Sequence, residues 1–480
     1  MLGQKDFKPC LFHTVQLEDL VPKDHELRRV LGLVDFATIR YRVKDKYSHT
    51  GQPGVDPAVI IKMLFLGYYY GISSERKLAK DIVINVAYRW FLGYDLAEET
   101  PTHSVLSKAR TRFGLEAFQN IFDEIVEQCI KAGLVSGKQA FIDATLIEAN
   151  ASEEKLLPRI QVMTPKEYTT HMMPEEKEEP QENSPDQRGP SSKNLNDRLV
   201  SPTDPDASFI GRGKKEGLNY EGHYVVDGKN KVIVAVDTTD TVDNASKAAP
   251  DMLQKAFFRH GLKFESVCAD AEYGTQSFYH FLLSQGMVPY IPAMETGGND
   301  KSLFTKSAFI YQQETDTYQC PAGYVLKRSG ESRREKLLHY HADRKECQGC
   351  ALRKQCTKSI NGRGIKRLFF EDDVAKARAL AETPAYKENM RRRRIVVEPL
   401  FSEAKGCHGL SRAKYRRRWR VGIQVLWTAT VQNIKRLLKE SIRPPRLAIQ
   451  ASAAQMDNQL QFIFLKLLSL LNYQRTLCCS

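Results

Sequence analysis

Apolar and polar positions in the first 135 residues repeat with a helical period. After Asp56-Pro57, where proline suits the first turn of a helix, Val59, Ile60, Met63, Leu64 and Leu66 supply apolar positions until Gly71 breaks the pattern. Ser73 is the expected cap of the next helix. A third starts near Thr100-Pro101-Thr102, runs to Phe113 and carries Lys108, Arg110 and Arg112. Short helices joined by tight turns, the last one basic, fit a helix-turn-helix that binds DNA. They fit equally a plain helical bundle with a solvated basic face. The period changes at 138–149, where Gln139 to Thr145 reads as a buried strand with Asp143 near its end.

Residues 150–200 lose periodicity, and the run Glu175-Glu176-Lys177-Glu178-Glu179-Pro180 marks a flexible acidic insertion. Strand patterns return at 220–226 and 231–237, on either side of the turn Asp227-Gly228-Lys229-Asn230. A helix at 251–261, a strand at 266–270 ending in Asp270, a helix at 276–286 and a strand at 288–292 follow. This order predicts an α/β domain around a central sheet. Residues 295–385 interrupt it, and from Arg391 the chain reads as helical and very basic. The amphipathic stretch 459–471 is too short to span a membrane and reads as a docking helix.

The length of 480 residues suggests two to four domains, and 42% hydrophobic residues exclude global disorder. A net charge of +13 calls for a polyanionic partner, nucleic acid first and an anionic membrane surface second. Between 391 and 440 fourteen Lys and Arg face three Glu, so most of that excess lies in about a tenth of the chain. No apolar run is long enough for a spanning helix, and Met1 to Pro9 lacks the apolar core of a secretory signal. A cytoplasmic protein without a membrane partner is expected.

Asp143, Asp270 and Glu398 sit on separate elements and can converge at one sheet edge. Hard divalent cations take oxygen ligands, and a pair of them stabilises the attacking and leaving oxygens of phosphoryl transfer. Spacing alone leaves Asp204, Asp206, Asp227, Asp237 and Asp243 as competitors, and solvated or capping carboxylates as the blander reading. Four of the ten cysteines cluster as Cys320-x26-Cys347-x2-Cys350-x5-Cys356, which can complete a tetrahedral Zn2+ site or be a set of buried, inert thiols. His339, His341 and His408 are possible substitute ligands. In the basic run 412–420, Tyr415 and Trp419 alternate with cations, as in surfaces that pack on sugars or bases, or as in a helix whose cations snorkel over a core.

The segment Arg394-Ile395-Val396-Val397-Glu398-Pro399-Leu400-Phe401-Ser402-Glu403-Ala404-Lys405 resembles the Y-x-x-R-x-x-x-E-x-x-x-x-x-x-K signature of bacterial insertion-sequence transposases with a DDE catalytic domain. Arg, Glu and Lys match in spacing, and Arg391 stands in the place of the Tyr. Asp143-Ala144-Thr145 resembles the strand of the first catalytic Asp. Ala269-Asp270-Ala271-Glu272-Tyr273 resembles the A-D-x-G-Y block, with Glu272 in place of Gly. Tyr220-Glu221-Gly222-His223 resembles the G-Y-K-x-H strand, Ser201 to Ala207 a loop before it, and Asp56 to Phe113 the family's helical domain. The nearest group is the insertion sequence eleven-eighty-two family, and the resemblance extends over nearly the whole chain.

That resemblance implies an RNase H-like catalytic domain, a mixed sheet with flanking helices, in which Asp143, Asp270 and Glu398 bind two Mg2+ or Mn2+ ions. It implies hydrolysis at the element ends followed by attack of the freed 3′-OH on target DNA. Arg394 and Lys405 would hold phosphates, joined by Arg412, Lys414, Arg416, Arg417 and Arg420 and by Lys108, Arg110 and Arg112. Glu148 and Glu403 are the rival acids. The expected organisation is a helical DNA-binding domain at 1–135, a catalytic domain at 136–294 and 386–445, a zinc-binding insertion at 295–385 and a helical tail at 446–480. Double-stranded DNA is the expected partner and a homodimer the expected state on it. A nuclease without strand transfer and a decayed, DNA-binding transposase are the alternatives.

Overall fold

The computed structural model describes residues 16–48, 50, 54–159, 196, 199–210, 216–241, 245–293, 303–333 and 336–441. Most of the acidic insertion, Asp243 and the tail at 446–480 lie outside them. The helices used below are α1 (Pro57–Tyr69), α2 (Ser104–Lys131), α3 (Gln276–Ser284), α4 (Glu371–Ala381), α5 (Pro384–His408) and α6 (Arg418–Ser441). The strands are β1 (Gln139–Glu148), β2 (Gly217–Asp227), β3 (Ile233–Asp240), β4 (Ser266–Cys268), β5 (Val288–Tyr290), β6 (Ile310–Gln312), β7 (Thr317–Gln319), β8 (Val325–Ser332), β9 (Leu337–Ala342) and β10 (Gly364–Leu368). The chain divides into two compact units, one of 1–244, 251–263 and 394–480, the other of 245–250 and 264–393.

In the first unit β2 is flanked by β1 and β3, both antiparallel to it. The turn Asp227 to Asn230 joins β2 to β3, and buried Asp227 anchors it by accepting from Ser136, Gly137 and Lys229 amides at 2.9–3.1 Å. Helix α6 is buried along most of its length and packs on α1, α2 and β3. The change of period near residue 136 is therefore a change from helix to strand within one packed unit. Helix α1 starts at Pro57 behind Asp56, whose carboxylate accepts from Ala58 N. The next helix, Glu75–Ile84, is capped by Ser74, one residue beyond the expected Ser73, through a bond from Lys77 N. Helix α2 breaks after Phe113, where Gly114 adopts φ 71°, a conformation glycine takes without Cβ strain.

In the second unit β4 and β5 pair in parallel, and α3 packs beside β5 and α4. Residues 303–368 form a separate antiparallel sheet in the order β10-β9-β8-β7-β6. The protein is thus a mixed α/β fold with a helical N-terminal part.

Candidate active site and basic surface

Asp143 and Glu398 both belong to the first unit. Asp143 lies opposite Tyr224 in the β1–β2 ladder, and residues directly opposite project from one sheet face. The Tyr224 ring stacks on Phe401 of α5 with centroids 4.6 Å apart. Phe401 follows Glu398 by three residues and so shares its side of the helix. The Lys231 ammonium donates to the Ile395 carbonyl at 2.7 Å and fastens α5 one turn before Glu398. Packing thus brings the helix of Glu398 onto the sheet face that bears Asp143. Asp143 is half-buried and Oδ1 accepts from Ala144 N at 2.9 Å, whereas Glu398 is exposed.

Two positions differ from the sequence expectation. Asp143 does not close its strand: β2 supplies partners as far as Glu148, so the carboxylate sits mid-strand. Asp270 does not close β4, which ends at Cys268. In the second unit it caps the 3-10 turn Ala271–Tyr273 by accepting from Glu272 N at 3.1 Å. Burial, and then the Asp270 charge, push the Glu272 carboxyl up.

The rival acids have structural employment. Glu403 accepts from Lys435 at 3.1 Å and from Gln432 at 3.1 Å, and lies 3.5 Å from His408 and 3.7 Å from Arg436. Burial pushes its carboxyl up, but His408, Arg436 and Lys435 outweigh that and hold it at about 2. Glu148 is exposed at the end of β1, 3.5 Å from Arg412. Asp204 accepts from Tyr220 at 2.6 Å and from Arg417 N at 2.8 Å. Asp206 accepts from Arg418 N at 2.9 Å, and Asp237 lies 3.5 Å from Lys255.

Exposure sorts the predicted cations. Arg394, Arg412, Arg416, Arg417, Lys108 and Arg112 are exposed, and Lys405 and Arg420 are half-buried. Arg416 donates to the Asn150 carbonyl at 3.0 Å, and the Arg112 guanidinium lies 4.5 Å over the Tyr47 ring. Arg110 fails as a surface contact: it is 4% exposed and paired with Glu75. Lys414 fails too. Its ammonium lies 4.2 Å over the Tyr68 ring, and burial pulls its pKa down to about 8. Tyr415 is half-buried, with the Arg110 guanidinium 4.1 Å from its ring and its hydroxyl donating to Glu75 at 3.0 Å. In this run Trp419 keeps partial exposure, with Arg420 4.8 Å from its ring.

Three buried amides of α6 hold this surface in place and were not singled out from the sequence. Gln424 donates to the Gly409 and Arg412 carbonyls and accepts from Lys414 N. Gln432 donates to Leu400 O at 2.8 Å, and Asn433 exchanges two bonds with Ile233 of β3. Their only signal was polar amides recurring inside an apolar helix.

In the second unit Cys320, Cys347, Cys350 and Cys356 line one cavity. Among the described residues no group of three His, Cys, Asp or Glu side chains is placed closely enough to hold a metal ion. His408 lies apart in α5, where its Nδ1 is 2.7 Å from the Tyr68 carbonyl oxygen. No helix among the described residues is long and apolar enough to cross a membrane.

Comparison with known proteins gives two family matches. A family described as "Transposase domain (DUF772)" matches residues 15–112, and one described as "Transposase DDE domain" matches residues 319–438. No curated protein matches the chain. Among solved structures, a cryo-EM structure of a piggyBac transposase synaptic complex with hairpin DNA aligns at 9% identity over 85% of this chain and 78% of that one, with a TM-score of 0.24. The two family matches cover the helical N-terminal part and the segment that holds α5 and most of α6, and over those segments they support an insertion-sequence DDE transposase.

Proposed function

We propose that this transposase binds the ends of its element, hydrolyses a phosphodiester there to free a 3′-OH, and joins that hydroxyl to target DNA. The observation that carries this reading is the placement of Asp143 and α5, with Glu398, on one face of the β1–β2 pair. Asp270 is assigned by its sequence motif alone. Two carboxylates, with phosphate and water, are an ordinary ligand set for Mg2+. When bound, Mg2+ or Mn2+ supplies charge stabilisation at the attacking and leaving oxygens.

In the first step a water oxygen forms a bond to phosphorus, its proton goes to a base, and the 3′ oxygen leaves. In the second, that 3′ oxygen attacks a target phosphorus and displaces the target's own 3′ oxygen. One P–O bond forms for each that breaks, so joining needs no external energy source. The antiparallel β1–β3 and the parallel β4–β5 suit the mixed sheet of an RNase H-like domain. Exposed Arg394 stands one turn from Glu398, where it can hold a phosphate beside the carboxylate. Arg412, Arg416 and Arg417 extend the cationic surface, and its binding should weaken steeply with salt. Two ends must be joined, so two copies acting on one DNA complex suit the chemistry.

The test is strand cleavage and joining on a labelled element-end duplex with Mg2+ or Mn2+, comparing wild type with Asp270→Asn. Metal-dependent nicking and joined product, both lost in the variant, are expected. Cut ends without joined product would replace strand transfer with plain nuclease action. Salt-sensitive binding with no cleavage would leave a DNA-binding protein.

A further inference from the structure

We infer that Cys320, Cys347, Cys350 and Cys356 form a structural tetrathiolate site for one Zn2+ ion within the second unit. The inference is independent of transposition. Three stretches of chain deliver the four thiols to one void of about 20 Å³. Cys320 sits at a turn closed by Gly323 N donating to its carbonyl at 2.8 Å, with Gly323 at φ 86°. Cys347 lies in the helix Arg344–Gln348, Cys350 follows it, and Cys356 ends the helix Arg353–Cys356.

The void has the size of a single small occupant, yet it suits water poorly, since a buried water needs two to four polar partners. Apart from the thiols its wall is largely apolar, with Phe304, Leu326, Ala342 and Leu352. Sulfur is what the wall offers, and thiolates select soft or borderline cations such as Zn2+. All four cysteines are free of disulfides. The sulfurs surround the void without reaching ligating distance in any trio. Rotation about χ1 moves each sulfur without moving the backbone, and the site requires that such rotations close the ring around the ion.

Two further observations point the same way. Four thiolates around Zn2+ carry a net double negative charge, and Arg363 lines the same cavity, where it donates to Cys356 O and Phe304 O at 2.9 Å each. Its Nε is buried without a partner. The surrounding β6–β10 sheet has a buried core of six residues, Phe309, Tyr318, Leu326, Tyr340, Ala342 and Ile365. So small a core ordinarily needs a staple such as a metal.

The experiment uses the full chain, purified under reducing conditions. Elemental analysis should find one zinc per chain. Exchange with Co2+ should give the thiolate-to-cobalt charge-transfer band and the strong visible bands of a tetrahedral site. Cys350→Ser and Cys320→Ser should each weaken or abolish those bands, and Cys407→Ser, an exposed thiol outside the group, should leave them intact. Metal-free protein that shows no such bands with Co2+ while all thiols titrate as reduced overturns the site. So do bands that survive in both variants, or a disulfide within the group. The wild-type spectrum alone decides the ligand geometry if a variant fails to fold.

Discussion

Glu398 and Glu403 lie on one helix, five residues apart, and have opposite surroundings. Glu398 is exposed on the turn that also presents Arg394, and makes no ion pair with it among the described residues. Glu403 is enclosed by Lys435, Arg436 and His408, and its oxygens are used to bind α5 to α6. A carboxylate occupied by two cationic side chains and an imidazole has few lone pairs left for a metal. Glu398, left in solvent, has its oxygens exposed. The same contrast separates Arg112 from Arg110, two residues apart on α2, one exposed and the other enclosed with Glu75 and Tyr415.

The contrast is sharpest in the two glutamates. Glu398→Gln should reduce strand cleavage at least about 1,000-fold, a loss of several kcal/mol of charge stabilisation, while its urea midpoint stays that of the wild type. A cleavage rate within threefold of wild type would remove Glu398 from the site. Glu403→Ala should do the reverse. Leaving Lys435, Arg436 and His408 without their anion should cost about 3–5 kcal/mol in equilibrium unfolding. Cleavage should fall only as far as the folded fraction does. The folded pKa of Glu403, about 2, lies below its ordinary 4.5. Its contribution is therefore fully present above about pH 4.5 and disappears as pH falls toward 2, visible as an acid-side loss of stability that Glu403→Ala lacks.

The arginine pair gives a smaller difference. Arg110→Ala should lower stability by about 2 kcal/mol, because Glu75 loses its buried partner. Arg112→Ala should leave the unfolding midpoint unchanged and reduce the slope of log affinity against log salt by about one. If both variants changed only the salt slope, Arg110 would have to be reachable by DNA. The smallest effect is expected at Lys414. Its folded pKa of about 8 lies below the ordinary 10.5, so the unfolded chain binds that proton more tightly. Stability should rise as pH climbs from about 8 to 10.5, and Lys414→Met should gain about 1 kcal/mol at pH 7 without loss of DNA affinity. A loss of affinity in that variant would return Lys414 to the DNA-binding surface.

Much of the local architecture was legible in the sequence. Asp56-Pro57 opened α1, the break after Phe113 fell at Gly114, and the turn at 227–230 joined two antiparallel strands. Each of these depends on residues within a few positions of one another. Strand ends were less legible. The limits of β1 are set by how far β2 accompanies it, and β2 begins 69 residues after β1 ends. The rival acids could not be sorted either, since the partners of Glu403 that carry the argument lie on another helix.

The sequence by itself determined the family resemblance, the concentration of positive charge after Arg391, the spacing of Arg394, Glu398 and Lys405, and the clustering of four cysteines. Only the tertiary structure decided which charges remain in solvent. Arg110 and Lys414 look like their exposed neighbours in the sequence, but α1, with Tyr68, and the helix that bears Glu75 cover them. Spacing along a chain fixes which residues share a turn or a face. Burial depends on what packs against that face, and the covering groups here come from more than 30 residues away, so no local pattern could report them.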